Sequence, residues 1–400
     1  MRSRRLAALT LVFAASAVLS LLGVDLLLRF MEWPPERGPL AWKVTVPWKE
    51  GVNSLGFRAK EPTAARRLPR ILLLGDSHLE GYHLTQRQTL GPRLKRHLAN
   101  RGWPVEVVVM GAGGWGTDQQ FIALQHYFER LQPDAVVVYY THRNDLWNNL
   151  FPTHMGTPKP TYRLDGGGLV PPDGALWRAP GTGSDAPSPY GIVPAIRRLA
   201  AGGYPTDLDW ETWLPERQPA PAAGAGTVPL GEFYAEVTGQ TLWDEEDLES
   251  ERSHFAYLKD PPTPRLEHAL RLQGALLSEM RRFTDAQGVP LLFFRPQLPS
   301  ETWSGTFEHR GRAYRLSGPA ADARLRAVFE ASGVSLLEID DLEIAHTWLP
   351  KDLHLNPQGN RFIAQRVGDW LLERLPGTGS ADAEGPGATG RPVQGRSSTQ

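Results

Sequence analysis

Arg70-Ile71-Leu72-Leu73-Leu74-Gly75-Asp76-Ser77-His78 is the stretch on which the fold turns. Ile71 to Leu74 is an unbroken aliphatic run that stops at Gly-Asp-Ser. A short run without alternation, bounded by turn residues, reads as a strand buried on both faces. Outward from it, Gln86–Arg101 reads as an amphipathic helix and Val105–Met110 as a β-branched strand. Asp118–Leu131 reads as a helix with Thr117 at its N-cap, and Ala135–Tyr140 as a third strand. The order β-α-β-α-β with continuous apolar strands predicts a parallel sheet covered by helices on both faces.

That regularity fails over residues 151–250, which hold 28 Gly or Pro. This predicts a long, irregular insertion, with small apolar patches at Tyr190–Leu199 and Leu230–Val237. The acidic stretch Asp244–Glu251 reads as a solvated face. Order returns with a helix at Pro264–Gln287, a strand at Val289–Phe294 and a helix at Ala320–Ser332. A strand at Val334–Ile339 and a last helix at Pro357–Leu375 complete the pattern, with Pro357 suited to a first helical turn. The predicted organisation is a membrane segment at 1–32, a lead-in at 33–68 and a main domain from 69–150 and 262–375. The insertion takes 151–261. Residues 376–400, with nine Gly or Pro and little apolar bulk, read as a disordered tail.

The N-terminus carries its own signal. Arg2, Arg4 and Arg5 precede Leu6–Val24, nineteen residues broken only by Thr10, Ser16, Ser20 and Gly23. Such a helix spans roughly 28 Å, enough for a bilayer core. A cleaved signal with its site near Ala15-Ser16-Ala17 is the competing reading, which would release the protein. The apolar run continues past that point to Leu28, which favours an uncleaved anchor. The arginines then stay cytoplasmic and the rest lies outside, in the periplasm or at the cell surface.

Composition excludes several classes. Apolar residues at 41% and charged residues at 22% exclude wholesale disorder. Lys+Arg number 43 and Asp+Glu 44, and a net charge of -1 argues against nucleic-acid binding by bulk charge. The absence of cysteine excludes disulfides, zinc-thiolate and iron–sulfur sites and a thiol nucleophile. No His-Glu-x-x-His or other metal-ligand spacing occurs, so no metal or other cofactor is expected.

Four segments place polar groups after strands or beside the last helix, where open α/β sheets bind ligands. Ser77 sits on a strand-to-helix turn, where its hydroxyl can leave the sheet edge and the next N–H groups can meet an oxyanion. A plain capping turn uses the same residues. Gly111-Ala112-Gly113-Gly114-Trp115-Gly116 lets the backbone approach a ligand closely. It also has the spacing of a dinucleotide loop, but it follows the second strand and lacks the acidic partner. Asn144-Asp145 offers an uncharged amide donor, or an ordinary Asx-turn. Asp352-Leu353-His354 offers a base and a carboxylate to orient it, or a surface His beside a helix cap. Around these, His78 and His83 follow Ser77; His78 reads as a solvated helix-start residue in preference to a pocket-lining one, and His126 as structural. Trp147, Trp177, Trp210, Trp213 and Trp243 read as a satellite core in preference to a glycan surface.

Taken in order, GDS, the glycine loop, Asn-Asp and Asp-x-His resemble the SGNH (GDSL-type) hydrolases over roughly 70–145 and 264–375. Asn53-Ser54-Leu55-Gly56-Phe57-Arg58 is similar to the lead-in of membrane-anchored bacterial members. The resemblance implies a flavodoxin-like three-layer α/β/α sandwich with about five parallel strands. It implies Ser77 as nucleophile, His354 as base and Asp352 as its orienting carboxylate. It implies an oxyanion hole from the Ser77 N–H, the Gly114 N–H (or Gly111, in another register) and the Asn144 side chain. Three positions depart from the family pattern: Val109 where Asn is common, and His142 and Arg143 where glycine is usual. Asp352 also stands two residues before His354, a shorter spacing than many members have. The expected activity is hydrolysis of acetyl or other short acyl esters. The same residues would serve an O-acyltransferase acting on a cell-envelope polysaccharide. A degenerate, non-catalytic envelope binding protein is the reading from a different class. Expected partners are an ester substrate on a polysaccharide or lipid, and the membrane through the N-terminal helix.

Overall fold

A computed structural model describes residues 2–32, 51–154, 157–172, 192, 214–217, 219–239, 241–242, 246–251, 253–342, 348–349 and 352–375. Trp177, Trp210, Trp213, Trp243, nearly all of Tyr190–Leu199 and the 376–400 segment lie outside the described residues.

Helix α1 (Arg2–Glu32) contains Leu9–Leu27, one stretch long and apolar enough to cross a membrane or to act as a signal sequence, with none of it buried against the rest. The central sheet consists of β1 (Arg70–Gly75), β2 (Glu106–Gly111), β3 (Ala135–Tyr139), β4 (Leu291–Pro296) and one late strand, Ser335–Ile339. The late strand pairs with β4, β4 with β3, β3 with β1, and β1 with β2, every pair parallel. Taken in sequence order the five strands therefore lie 2-1-3-4-5, the flavodoxin-like doubly wound arrangement, with its switch point between β1 and β3.

Alternate residues of each strand feed two cores. Leu72, Leu74, Val136, Val138 and Phe293 face α4 (Thr117–Leu131), with Pro264–Ala286 and Gly318–Ser332 completing that layer. Ile71, Leu73, Val137, Tyr139 and Phe294 face α3 (Leu90–Asn100) and the last helix, Pro357–Arg374. This is the expected three-layer sandwich. The aliphatic runs look continuous in sequence because both faces of the sheet are covered.

Several local expectations need correction. Gly116, not Thr117, occupies the N-cap of α4, and its N–H is taken by Gln119 Oε1 at 2.8 Å. Residues 86–101 break at Thr89 into a short 3-10 turn and α3. Asn144-Asp145 lies inside a short helix, α5 (His142–Asn148), rather than in a plain turn. The acidic stretch is not a solvated face: Glu246 and Glu251 are buried. Glu246 accepts from Ser253 Oγ at 2.6 Å, and Glu251 pairs with Lys259 at 2.9 Å. The sequence reading also missed an antiparallel hairpin, Ser304–His309 with Arg312–Ser317. Its turn, Arg310-Gly311, places both residues at positive φ, and arginine gives no turn signal there. Trp147 is buried in the first core, packing on Phe151 at 6.0 Å, so it offers no face to a sugar.

Candidate active site

The site forms at the C-terminal ends of β1 and β3, at the switch point. Gly75 closes β1 and the chain turns at once into α2 (Ser77–Glu80). Asp76 caps this turn: its Oδ1 accepts from the His78 N–H at 2.9 Å. Its Oδ2 accepts from Asn144 Nδ2 at 2.7 Å. One carboxylate thus holds the Ser77 turn and the end of β3 together. An amide carries two N–H donors, and Asp76 takes one of them.

Asn144 is itself held from below. Asp145 is fully buried and accepts from the Thr141 N–H at 2.6 Å and from Gln120 Nε2 at 2.5 Å. Burial, with the Asp76 charge adding, pushes the Asp145 carboxyl well above its ordinary range.

Ser77 and His354 meet. His354 Nε2 lies 2.8 Å from Ser77 Oγ, although 277 positions separate them in sequence. Both are half-buried. His354 lies on a strand, Asp352–Leu355, which pairs antiparallel with Trp348–Leu349. Asp352 opens that strand; its side chain lies outside the described residues. Asn356 then caps the last helix, accepting from the Gln358 and Gly359 N–H groups at 2.8 and 2.9 Å.

The glycine loop closes the third side. Gly113 donates to Glu80 Oε2 at 3.0 Å, which ties the loop to α2. Gly114 adopts a positive φ of 71°, and its carbonyl accepts from Asn148 Nδ2 at 3.0 Å. Among the described residues the N–H groups of Ser77 and Gly114 have no acceptor. Gly111 differs: it pairs with Gly75 in the β1–β2 ladder. A Cβ at Gly111 would stand 2.9 Å from Leu79 Cβ and 3.0 Å from the Asp76 carbonyl, so this glycine lets α2 pack close.

Sequence reasoning misplaced His78. His78 is buried, not solvated: its ring stacks on Tyr139 at 5.5 Å and lies 4.5 Å from the ring of His354. Burial holds His78 well below the ordinary imidazole range, and the His354, Arg143 and His83 charges add to this. Tyr82 and His83 pack edge-on against His354 at 5.5 and 5.1 Å. An aromatic collar therefore surrounds the imidazole. Only the i+1 position of His78 after Ser77 could have hinted at it.

His142, Glu301 and Asp322 gather three ligand-type atoms within 4.8 Å, buried behind β3. Arg295 occupies the charge position there, 2.9 Å from Glu301 and 2.8 Å from Asp322, with Glu338 at 2.7 Å. A guanidinium already neutralising these carboxylates makes the cluster an ion-pair network and a poor metal site.

No known family model matches the chain, and no curated protein matches it. Solved structures do. A lipase/acylhydrolase from Enterococcus faecalis is similar at 12% identity, over 77% of this chain and 97% of its own, with a TM-score of 0.36. The acetyl xylan esterase AlAXEase is similar at 10% identity, over 76% and 99%, with a TM-score of 0.34. The esterase EstA from Pseudoalteromonas is similar at 10% identity, over 76% and 97%, also with a TM-score of 0.34. Likeness at this level leaves the chemistry to be argued from the residues at the site.

Proposed function

We propose that this chain is a serine esterase of the SGNH (GDSL-type) kind, cleaving short acyl esters by two-step acyl transfer. The observation that carries the proposal is the 2.8 Å contact between His354 Nε2 and Ser77 Oγ at the switch point. Ser77 attacks the ester carbonyl while His354 takes its proton. The oxyanion meets the Ser77 and Gly114 N–H groups and the second N–H of Asn144. His354 returns the proton to the departing alkoxide, and water attacks the acyl-serine by the same route in reverse. Asp352 orients His354 in this scheme. No step calls for a metal or other cofactor.

Leu9–Leu27 supports a membrane anchor. With Arg2, Arg4 and Arg5 on the cytoplasmic side, the site lies outside the cytoplasm.

A fluorophosphonate probe tests the chemistry without a known substrate, because capture needs an activated serine and an open oxyanion hole. The detergent-solubilised chain should be labelled at Ser77, and S77A and H354A should not. A folded wild-type protein that takes no label would refute the esterase reading.

A further inference from the structure

Arg143 directly precedes Asn144, at a position where the family pattern has glycine. It is half-buried, with its Nε fully enclosed. Among the described residues it makes no hydrogen bond and enters no ion pair. Arg58 and Arg295 likewise enclose an Nε that makes no hydrogen bond, but their terminal nitrogens are held by acceptors, as are those of Arg70. Arg70 holds Glu106 at 2.7 Å, Arg295 holds three carboxylates, and Arg58 donates to three carbonyls. Enclosing part of a guanidinium without a partner is costly.

The position is not neutral for the site. Asn144 reaches Asp76, which adjoins Ser77. The Arg143 charge bears on His78, whose ring lies 4.5 Å from His354, and on Tyr139, which stacks on His78. Arg143 stands in the first turn of α5, next to Asn144, and its planar fork of donors matches a carboxylate.

We infer that Arg143 forms an anion subsite, so that the substrate is an ester carrying a carboxylate near the scissile bond. This rests on the esterase reading and adds a substrate class to it. A neutral acetyl ester would leave the guanidinium unpaired, whereas a half-ester of a dicarboxylic acid would pair it.

The test uses the full chain in detergent. Wild type, R143Q and R143K would be assayed on 4-nitrophenyl hemisuccinate against its uncharged methyl ester. A second pair, 4-acetoxybenzoate against its methyl ester, moves the carboxylate to the alcohol side. Wild type should prefer the charged member of one pair by about tenfold or more in kcat/KM. R143Q should reduce that ratio by about ten- to a hundredfold, and R143K should restore part of it. No preference in either pair, or one unchanged in R143Q, would overturn the subsite. Binding separates this from the esterase reading. S77A should bind monomethyl succinate in calorimetry at least about tenfold more tightly than S77A/R143Q. Equal affinities overturn the subsite whatever the turnover. Arg143-dependent binding with no turnover of any ester would support the subsite and count against the esterase reading alone.

Discussion

Asn144 donates to Asp76 across 2.7 Å and so fastens the end of β3 to the turn that carries Ser77. The same amide has a second N–H, which the proposed mechanism gives to the oxyanion. Asn144→Ala removes both the donor and the tie, and kcat should fall by about a hundred- to a thousandfold. Asp76→Asn keeps an oxygen to cap α2 and should cost less in kcat. Steady-state kinetics on a short-chain ester would show this order. An Asn144→Ala enzyme within threefold of wild type would remove Asn144 from the oxyanion hole.

Arg58 reaches from the lead-in to the Glu80, Gly81 and Leu84 carbonyls at and just past the end of α2. These acceptors sit just past Ser77, and Gly81 ends α2 in the left-handed conformation. Arg58→Ala should lower stability by about 3 kcal/mol and reduce kcat, with Arg58→Lys recovering a part. Deleting residues 1–32 should leave activity intact, whereas deleting 1–60 should act like Arg58→Ala. Denaturant melts and ester turnover of the two truncations would check this.

The sheet was legible because Ile71–Leu74, Val107–Val109 and Val136–Val138 are aliphatic runs that only a doubly covered sheet accommodates. Ser77 and His354 were legible because their motifs stand at the ends of predicted elements. What escaped was set by tertiary partners. Glu246 and Glu251 looked solvated, yet Ser253, His254 and Lys259 fold back onto them. His78 looked like a helix-start residue, and only the approach of His354 from far along the chain encloses it. The Asp76–Asn144 tie joins two motifs that the sequence presents 68 positions apart.

Three histidines predict an acid-labile fold. Burial lowers His78 and His142, the latter against the pull of Glu301, and lowers His126 to about 4 with Arg130 adding. As pH falls through the ordinary 6.5, the unfolded chain binds protons at these positions and the folded chain does not. Stability is therefore full above about 6.5 and is lost towards pH 4. His126 stands apart from the site, so His126→Gln isolates one share. The difference between wild-type and His126→Gln melting temperatures should be flat above pH 6.5. Below that it should move by a few degrees in favour of the variant. A difference independent of pH would refute the assignment.

Lys159 and Asp118 form a fully buried pair at 3.2 Å, at the N-terminal turn of α4. Burial pulls the lysine down and pushes the carboxyl up, each against the attraction of the other. Lys159 also donates to Thr161 at 3.0 Å, and the neighbouring Gln119 donates to the Pro160 carbonyl. The pair therefore docks the first residues of the insertion onto the helix that follows the glycine loop. Lys159→Met strands a buried carboxylate and should cost about 3–5 kcal/mol. Asp118→Asn leaves an amide beside a buried ammonium and should cost somewhat less. The double variant removes both charges, so its loss should be smaller than the sum of the single losses. Urea denaturation of the four proteins measures that coupling. Activity should fall with Lys159→Met, because Gly114 and the N-terminus of α4 share one loop, and recover in part in the double variant. Additive losses would mean that the two residues act independently and that the docking has another cause.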